Sequence, residues 1–347
     1  MQKRIRDYGI EIGSLETGRL NKISDVGGVT SGHATIDDGP LKTGVTAILP
    51  HQGNVFTNKV VGAAHVLNGF GKSVGTIQLE ELGTIETPIL LTNTLSIGTC
   101  TDSLIDYMLK HNPEIGRTTG TVNPVVGECN DMYLNDIRAR AVQSRHVKEA
   151  LTSAAIDFQE GGVGAGTGMK CFGLKGGIGS SSRVISYPHG SYTIGVLTLT
   201  NFGSLEQLRV NDKRAGHIIK QRLAEHSPEP DKGSVIVVVA TDLPVSSRQL
   251  KRIIKRAGVG LSRCGSYIGN GSGDVILGFS TANQVPHHAD AQISRYSAIH
   301  EEDIDLAFLA VADATEEAVL NSMITAETVT GRDGNTLHSL REFMEFI

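Results

Sequence analysis

The sequence predicts an α/β or α+β fold in which sheets are covered by helices, and two observations carry that expectation. Short apolar runs bounded by Gly, Pro, Asp or Asn alternate with charged segments of helical spacing. One of those runs, Val235 to Ala240 (VIVVVA), is continuous and rich in β-branched residues, the pattern of a strand buried on both faces. A chain of 347 residues, 39% hydrophobic and 20% charged, has the composition of a soluble globular protein with a sizeable core. Its length allows one large domain or two; no repeat or composition shift marks a boundary, so residues 1–347 are read as a single domain.

Taken in order, Val45 to Leu49 and Pro88 to Leu91 read as strands, followed by helical spacing over Ser103 to Leu109 and Asp136 to Phe158. Thr193 to Leu199 reads as a strand and Ala215 to Ala224 as a helix. The polar, Pro-containing stretch His226 to Gly233 (HSPEPDKG) is the most linker-like in the chain, and it runs directly into Ser234 and the buried strand. Ser246 and Ser247 then mark a helix start ahead of Arg248 to Arg256, where Leu250, Ile253 and Ile254 share a face and Gly258 is the expected stop. The five positive charges of that segment suit either an anion site or a solvated face. Val275 to Phe279 is the last strand, and Ile304 to Met323 the last helix.

Several function classes are not supported. A net charge of −5 and the lack of any basic run or aromatic-basic stripe argue against nucleic acid. The N-terminus MQKRIRDYGIEIG has no apolar h-region, and no stretch approaches the ~18 apolar residues of a membrane span, so a cytoplasmic location is expected. Cys100, Cys129, Cys171 and Cys264 are widely spaced and read as buried thiols. His287 and His288, followed by Asp290, read as solvated surface rather than a metal site. No GxGxxG register fits Gly161 to Gly168; Gly71-Lys72-Ser73 matches only the end of a P-loop, with Val66 where its first glycine belongs. No GxSxG elbow occurs. No cofactor, metal or nucleotide is therefore expected. Forty-one glycines, against a usual share of ~7%, are left with steric work and with backbone amides that can face an oxyanion.

The candidates for chemistry lie at strand ends. If the Gly233–Ser234 bond were cut, Ser234 would carry a free α-amine beside its own hydroxyl, giving a nucleophile its general base on one residue. The same junction also reads as a loop ending at a strand. Thirty-eight residues on, Gly269 to Asp274 (GNGSGD) places Ser272 and Asp274 in a loop at the next strand entrance, where turn duty is the alternative. Asn201 in TNFGSL follows an apolar run and can donate to an oxyanion or cap a turn. Glu128 in PVVGECND can receive a substrate ammonium or face water.

Together these segments resemble one family. The residues from about Asn21 to Asn283 are similar to the L-aminopeptidase/D-esterase family, which comprises DmpA-type enzymes and β-peptidyl aminopeptidases, self-processing N-terminal serine hydrolases. The resemblance is carried by ISDVGGVTSGH (Ile23 to His33), LKTGVTAILP (Leu41 to Pro50), AAHVLNGFG (Ala63 to Gly71) and PILLTNT (Pro88 to Thr94). It continues in PVVGECND and YLND (Pro124 to Asp136), EGGVGAGTGMKCFGLKGGIGSSSR (Glu160 to Arg183) and LTNFG (Leu199 to Gly203). KGSVIVVVATDLP (Lys232 to Pro244) and GSGDVILGFSTAN (Gly271 to Asn283) complete it.

The resemblance implies a four-layer αββα sandwich of the N-terminal-nucleophile type and self-cleavage between Gly233 and Ser234. The resulting chains, 1–233 and 234–347, would stay associated, and the αβ units would form a homo-tetramer. It further implies Ser234 as nucleophile, Asn201 in the oxyanion hole, Ser272 and Asp274 as partners, and Glu128 as the group that reads a substrate amino terminus. Where the family commonly has Thr and an aromatic after that Glu, this chain has Cys129 and Asn130, with Tyr133 nearby to substitute as a wall. The expected activity is release of N-terminal residues from short peptides, amides or esters through an acyl-enzyme. The alternatives are an amidase for a small pantetheine-like substrate, an acyltransferase like ornithine acetyltransferase on the same fold, or an uncut scaffold protein. Ser234 argues against the acyltransferase, which normally has Thr at the cleavage site.

Overall fold

The computed structural model describes residues 2–223, 233–289 and 291–347. The linker reading of 226–232 and the expectation for Asp290 lie outside the described residues. In chain order the main elements begin with β1 (Thr30–Asp38), β2 (Leu41–Leu49), β3 (Asn58–Gly69), α1 (Thr76–Leu82), β4 (Thr84–Ile85) and β5 (Ile89–Asn93). There follow α2 (Ile97–His111), β6 (Val125–Cys129), α3 (Ser144–Thr152), β7 (Lys170–Cys171), β8 (Leu174–Lys175), β9 (Gly177–Tyr187), β10 (Gly190–Asn201) and α4 (Ala215–Arg222). The C-terminal third holds β11 (Ser234–Thr241), α5 (Ser247–Ile254), α6 (Ala257–Arg263), β12 (Gly273–Pro286) and α7 (Asp305–Ile324).

Two sheets form the centre, a four-stranded one in the order β1-β2-β5-β6 and a six-stranded one in the order β4-β3-β12-β11-β10-β9. Three apolar cores separate the layers. The first joins Leu90 and Val126 of the smaller sheet to Leu104, Met108, Val147 and Leu151 of α2 and α3. The second lies between the sheets, where Ile89, Leu91 and Val125 meet Leu197, Leu199, Ile236, Val238 and Leu277. The third packs the outer face of the larger sheet, including Val235, Val237 and Val239, against α4 to α7. The chain is thus an αββα sandwich of four layers. Along β11 the even-numbered residues face the partner sheet and the odd-numbered ones face the helices, which is why its sequence is apolar throughout. Burial of each such Val or Ile contributes roughly 1.5–3 kcal/mol, so the strand that begins at Ser234 is among the best anchored.

The structure revises two local expectations. Asp136 to Phe158 is not one helix: a 3₁₀ turn at Ile137–Ala139 ends at Arg140, whose φ of 48° is left-handed, and only Ser144–Thr152 is α-helical. Gly258 is not the stop after Ser246; the helix ends at Ile254, and Gly258 lies inside α6. The basic face of α5 is largely occupied by ion pairs: Arg248 and Arg252 both bind Glu301, and Lys251 binds Glu80. All four cysteines are free and buried. His287 has Thr119 Oγ1 2.6 Å from Nε2 and Lys59 Nζ 3.1 Å from Nδ1. Among the described residues no group of His, Cys, Asp and Glu is placed to hold a metal, and no helix is long and apolar enough to cross a membrane.

Candidate active site

The candidate residues meet where β11 begins. In the larger sheet β11 lies between β10, its antiparallel neighbour, and β12, its parallel one. The register pairs Ser234 with Asn201 on one side and with Gly273 on the other. Ser272 and Asp274 therefore flank the residue that stands beside the candidate nucleophile. Three segments separated by tens of residues are brought together by strand order alone, and the two strand entrances suspected from sequence are indeed adjacent.

The Gly233–Ser234 linkage is held on both sides. The Gly233 carbonyl accepts a hydrogen bond from the Gly273 N–H at 3.2 Å, a main-chain donor already on the atom that would become an oxyanion during self-cleavage. A β-carbon on Gly233 would lie 1.9 Å from the Asn201 carbonyl oxygen and 2.6 Å from the Phe202 Cα, so only glycine fits before Ser234. Ser234 itself is buried, at 5% exposure.

The second sheet closes the site from above. Gly127 in β6 lies on Ile236 of β11; a β-carbon there would be 3.1 Å from that side chain, so the glycine lets the two strands approach. This brings the end of β6 over Ser234, and the Asn130 N–H reaches its Oγ at 3.4 Å. Glu128, also buried, accepts from the Lys72 N–H at 2.8 Å and from the Thr94 hydroxyl. Its carboxylate is fixed by two donors from other segments, a geometry suited to holding a substrate ammonium. Cys129 lies between them. Burial first, then the neighbouring Glu128, pushes its thiol well above the ordinary range, so it stays protonated beside Ser234 and is no rival nucleophile.

Asn201 is oriented by the glycine-rich segment. Its Oδ1 accepts from the Lys170 N–H at 2.9 Å. A main-chain N–H can only donate, so the oxygen is assigned to that side and the amide NH2 to the other, where it is available as a donor. Ser272 Oγ donates to Asp274 Oδ1 at 2.6 Å, both residues being buried. Tyr133 sits at the edge of the cluster, with the Lys170 ammonium 4.3 Å from its ring centroid. The Asn130 side chain accepts from the Met132 N–H at 3.1 Å. What Asn130 brings to Ser234 is its main chain.

Sequence reading missed the supporting donors: the N–H groups of Asn130, Lys170 and Gly273, the Thr94 hydroxyl, and Asn68. The last donates through Nδ2 to the carbonyls of Gly269 and Asn270, both at 3.1 Å, and of Ser272, and so shapes the loop before Asp274. All lie in segments that carry the resemblance, yet none has a local signature: the main-chain donors are not encoded in residue type, and the Thr94 and Asn68 side chains meet partners distant in sequence.

Residues 21–337 match the model of peptidase family S58. The chain belongs to peptidase family S58. Beta-peptidyl aminopeptidase BapA of Sphingosinicella microcystinivorans is 37% identical over 363 residues, covering 97% of this chain and 89% of the relative. Among solved structures, the PH0078 protein from Pyrococcus horikoshii OT3 is 47% identical with a TM-score of 0.94, covering 99% of this chain and 98% of that one. The L-aminopeptidase D-Ala-esterase/amidase from Ochrobactrum anthropi, described as a variant of the Ntn hydrolase fold, is 36% identical with a TM-score of 0.91 over 99% of this chain and 96% of that one. The chain is accordingly a hydrolase of the aminopeptidase class, on the Ntn-like αββα scaffold.

Proposed function

We propose that this aminopeptidase activates itself by cutting Gly233–Ser234 and then uses Ser234 to release N-terminal residues from short peptides, amides or esters. One observation carries the reading: Ser234 stands in register between Asn201 and Gly273, with the Asn130 N–H on its Oγ and the buried Glu128 two residues before Asn130. In self-cleavage Ser234 Oγ would attack the Gly233 carbonyl carbon and the C–N bond would break, leaving an ester on Oγ and a free α-amine. Water would hydrolyse that ester, yielding the Gly233 carboxylate and the Ser234 hydroxyl.

In turnover the amine, with an ordinary pKa of about 7.7–8.0, would take the hydroxyl proton as Oγ attacks a substrate carbonyl. Asn201 NH2 and the Asn130 N–H are the proposed donors to the tetrahedral oxyanion, each worth roughly 3–4 kcal/mol when well placed. Ser272 and Asp274 would support the amine side, Glu128 would bind the substrate ammonium, and Asn130 and Tyr133 would border the substrate. Collapse would pass the proton to the leaving amine or alcohol, and water would release the acyl group. The similarity to a beta-peptidyl aminopeptidase supports including β-peptides in the substrate range.

Sheet order explains how the cut chains would stay together. The strands of segment 234–347, β12 and β11, lie between β3 and β10 of segment 1–233, so separation would unzip both sides of the pair. Assembly of such αβ units into a homo-tetramer follows from the resemblance and is read out by native mass spectrometry. The decisive experiment is intact mass under denaturing conditions for the wild type and Ser234→Ala. The wild type should yield a fragment beginning at Ser234 and hydrolyse amino-acid amides; the variant should stay whole, folded and inactive. Amidase activity retained in Ser234→Ala would remove Ser234 from the mechanism.

A further inference from the structure

Lys175 is fully buried in the β7–β8 hairpin, and the mechanism above does not use it. Its ammonium donates to three main-chain carbonyls, those of Gly166 at 2.9 Å, Met169 at 3.3 Å and Gly176 at 2.6 Å. These acceptors lie on both sides of Lys170 in sequence, so one cation ties the two ends of the hairpin together. The hairpin in turn runs along the end of β10. The Gly177 N–H donates to Thr200 Oγ1 at 3.1 Å, the Lys170 N–H to Asn201 Oδ1 at 2.9 Å, and the Phe172 N–H to the Phe202 carbonyl at 2.7 Å.

We propose that Lys175 is a positioning residue for Asn201, holding the hairpin so that the Lys170 N–H keeps the Asn201 amide aimed at the reacting carbonyl. The inference rests on the reading of Asn201 as an oxyanion donor. Physical chemistry favours a cation at this place. Three buried carbonyls that converge on one point repel one another and lose their hydration, and an ammonium offers three donors to three acceptors. An apolar side chain would take a donor from all three, leaving the Met169 carbonyl with only the Gly176 N–H and the Gly166 carbonyl with only the Met169 N–H, and their spreading would carry Lys170 away from Asn201. The arrangement is also expensive for the lysine: burial, the largest influence, lowers its pKa to about 7, while Cys171, Asp37 and Asp131 favour the charged form. Keeping a charge there is understandable if the hairpin must be set accurately.

The test is a double-mutant cycle on the processed enzyme, with kcat and KM measured for an amino-acid amide. Asn201→Ala should lower kcat about 10²–10³-fold, Lys175→Met about 10–100-fold, and both with KM little changed. If Lys175 acts through Asn201, the double variant is no slower than Asn201→Ala. Multiplicative losses overturn the inference and leave the proposed function standing, whereas wild-type kcat in Asn201→Ala overturns the reading on which it rests. Lys175→Gln, which keeps an amide donor without the charge, should recover part of the kcat lost in Lys175→Met; no recovery means that donation to these carbonyls does not set the hairpin, and argues against the inference. Should neither Lys175 variant fold, the ratio of wild-type kcat to that of Asn201→Ala is followed from pH 6 to 9. As the ammonium loses its proton that ratio should fall, and a constant ratio overturns the inference.

Discussion

At Gly233 the constraint is steric before it is chemical. Its missing β-carbon lets the chain pass against the Asn201 and Phe202 backbone, and the same placement sets its carbonyl on the Gly273 N–H. Gly233→Ala must displace main chain rather than a flexible side chain, so the carbonyl would leave that donor. We expect self-cleavage to slow about 10²-fold, the usual effect of losing one oxyanion donor, which a time course of intact mass would show. Cleavage at the wild-type rate would mean that the Gly273 N–H is a spectator. The same scale explains what could be read from sequence. Ser234, Asn201, Ser272, Asp274 and Glu128 are side-chain candidates at strand ends and were legible there. The change to Cys129 and Asn130 looked consequential, yet Asn130 meets Ser234 through its N–H, a contribution that survives a change of side chain.

Among elements, α5 shows how a local signal is realised. Ser246 Oγ accepts from the Gln249 N–H at 3.2 Å, and Gln249 Oε1 accepts from the Ser246 N–H at 3.1 Å, a reciprocal cap at the helix start. Ser246→Ala should cost about 1 kcal/mol of stability by denaturant titration and leave kcat unchanged, because α5 packs on the outer face of the larger sheet. A change in kcat would show that the outer helical layer is coupled to the site. Elements with a continuous apolar run or helical apolar spacing were legible, as β10, β11, α2 and α7 were. β9 was not, because Ser180, Ser181 and Ser182 sit fully buried in it and make the segment read as a loop. Their hydroxyls are satisfied by partners far away in sequence, namely the Val196 carbonyl at 2.7 Å, the Ala314 carbonyl at 2.6 Å and Asp25 at 2.7 Å. Tertiary hydrogen bonding of that kind leaves no periodicity.

For the whole molecule the site depends on layer order: β11 must lie between β10 and β12, and β6 must lie over β11. No local pattern states that order; the resemblance implied the four layers, and the strand order within them is given by the structure. Titratable groups shielded from water around the smaller sheet give stability a pH dependence with a definite sign. His33 Nε2 faces the Gln159 carbonyl at 3.0 Å and Nδ1 faces Thr46 Oγ1 at 2.9 Å. A carbonyl only accepts, so Nε2 carries a proton. Burial, the largest influence, lowers its pKa from 6.5 to about 4. Between those values the unfolded chain binds a proton that the folded one refuses, so this contribution is lost as pH falls from 6.5 towards 4. Asp131 works in the opposite sense: burial raises it from 3.8 to about 7, so the folded state keeps a proton over that range and stability declines as pH rises. The two slopes oppose each other in the total, and a difference measurement separates them. His33→Gln keeps an amide donor for the Gln159 carbonyl but cannot titrate. Denaturant midpoints from pH 4.5 to 7 should show the wild type losing stability relative to His33→Gln as pH falls, at no more than about 1.4 kcal/mol per unit. Parallel pH curves for the two proteins would mean that His33 binds its proton equally well in the folded and unfolded chains.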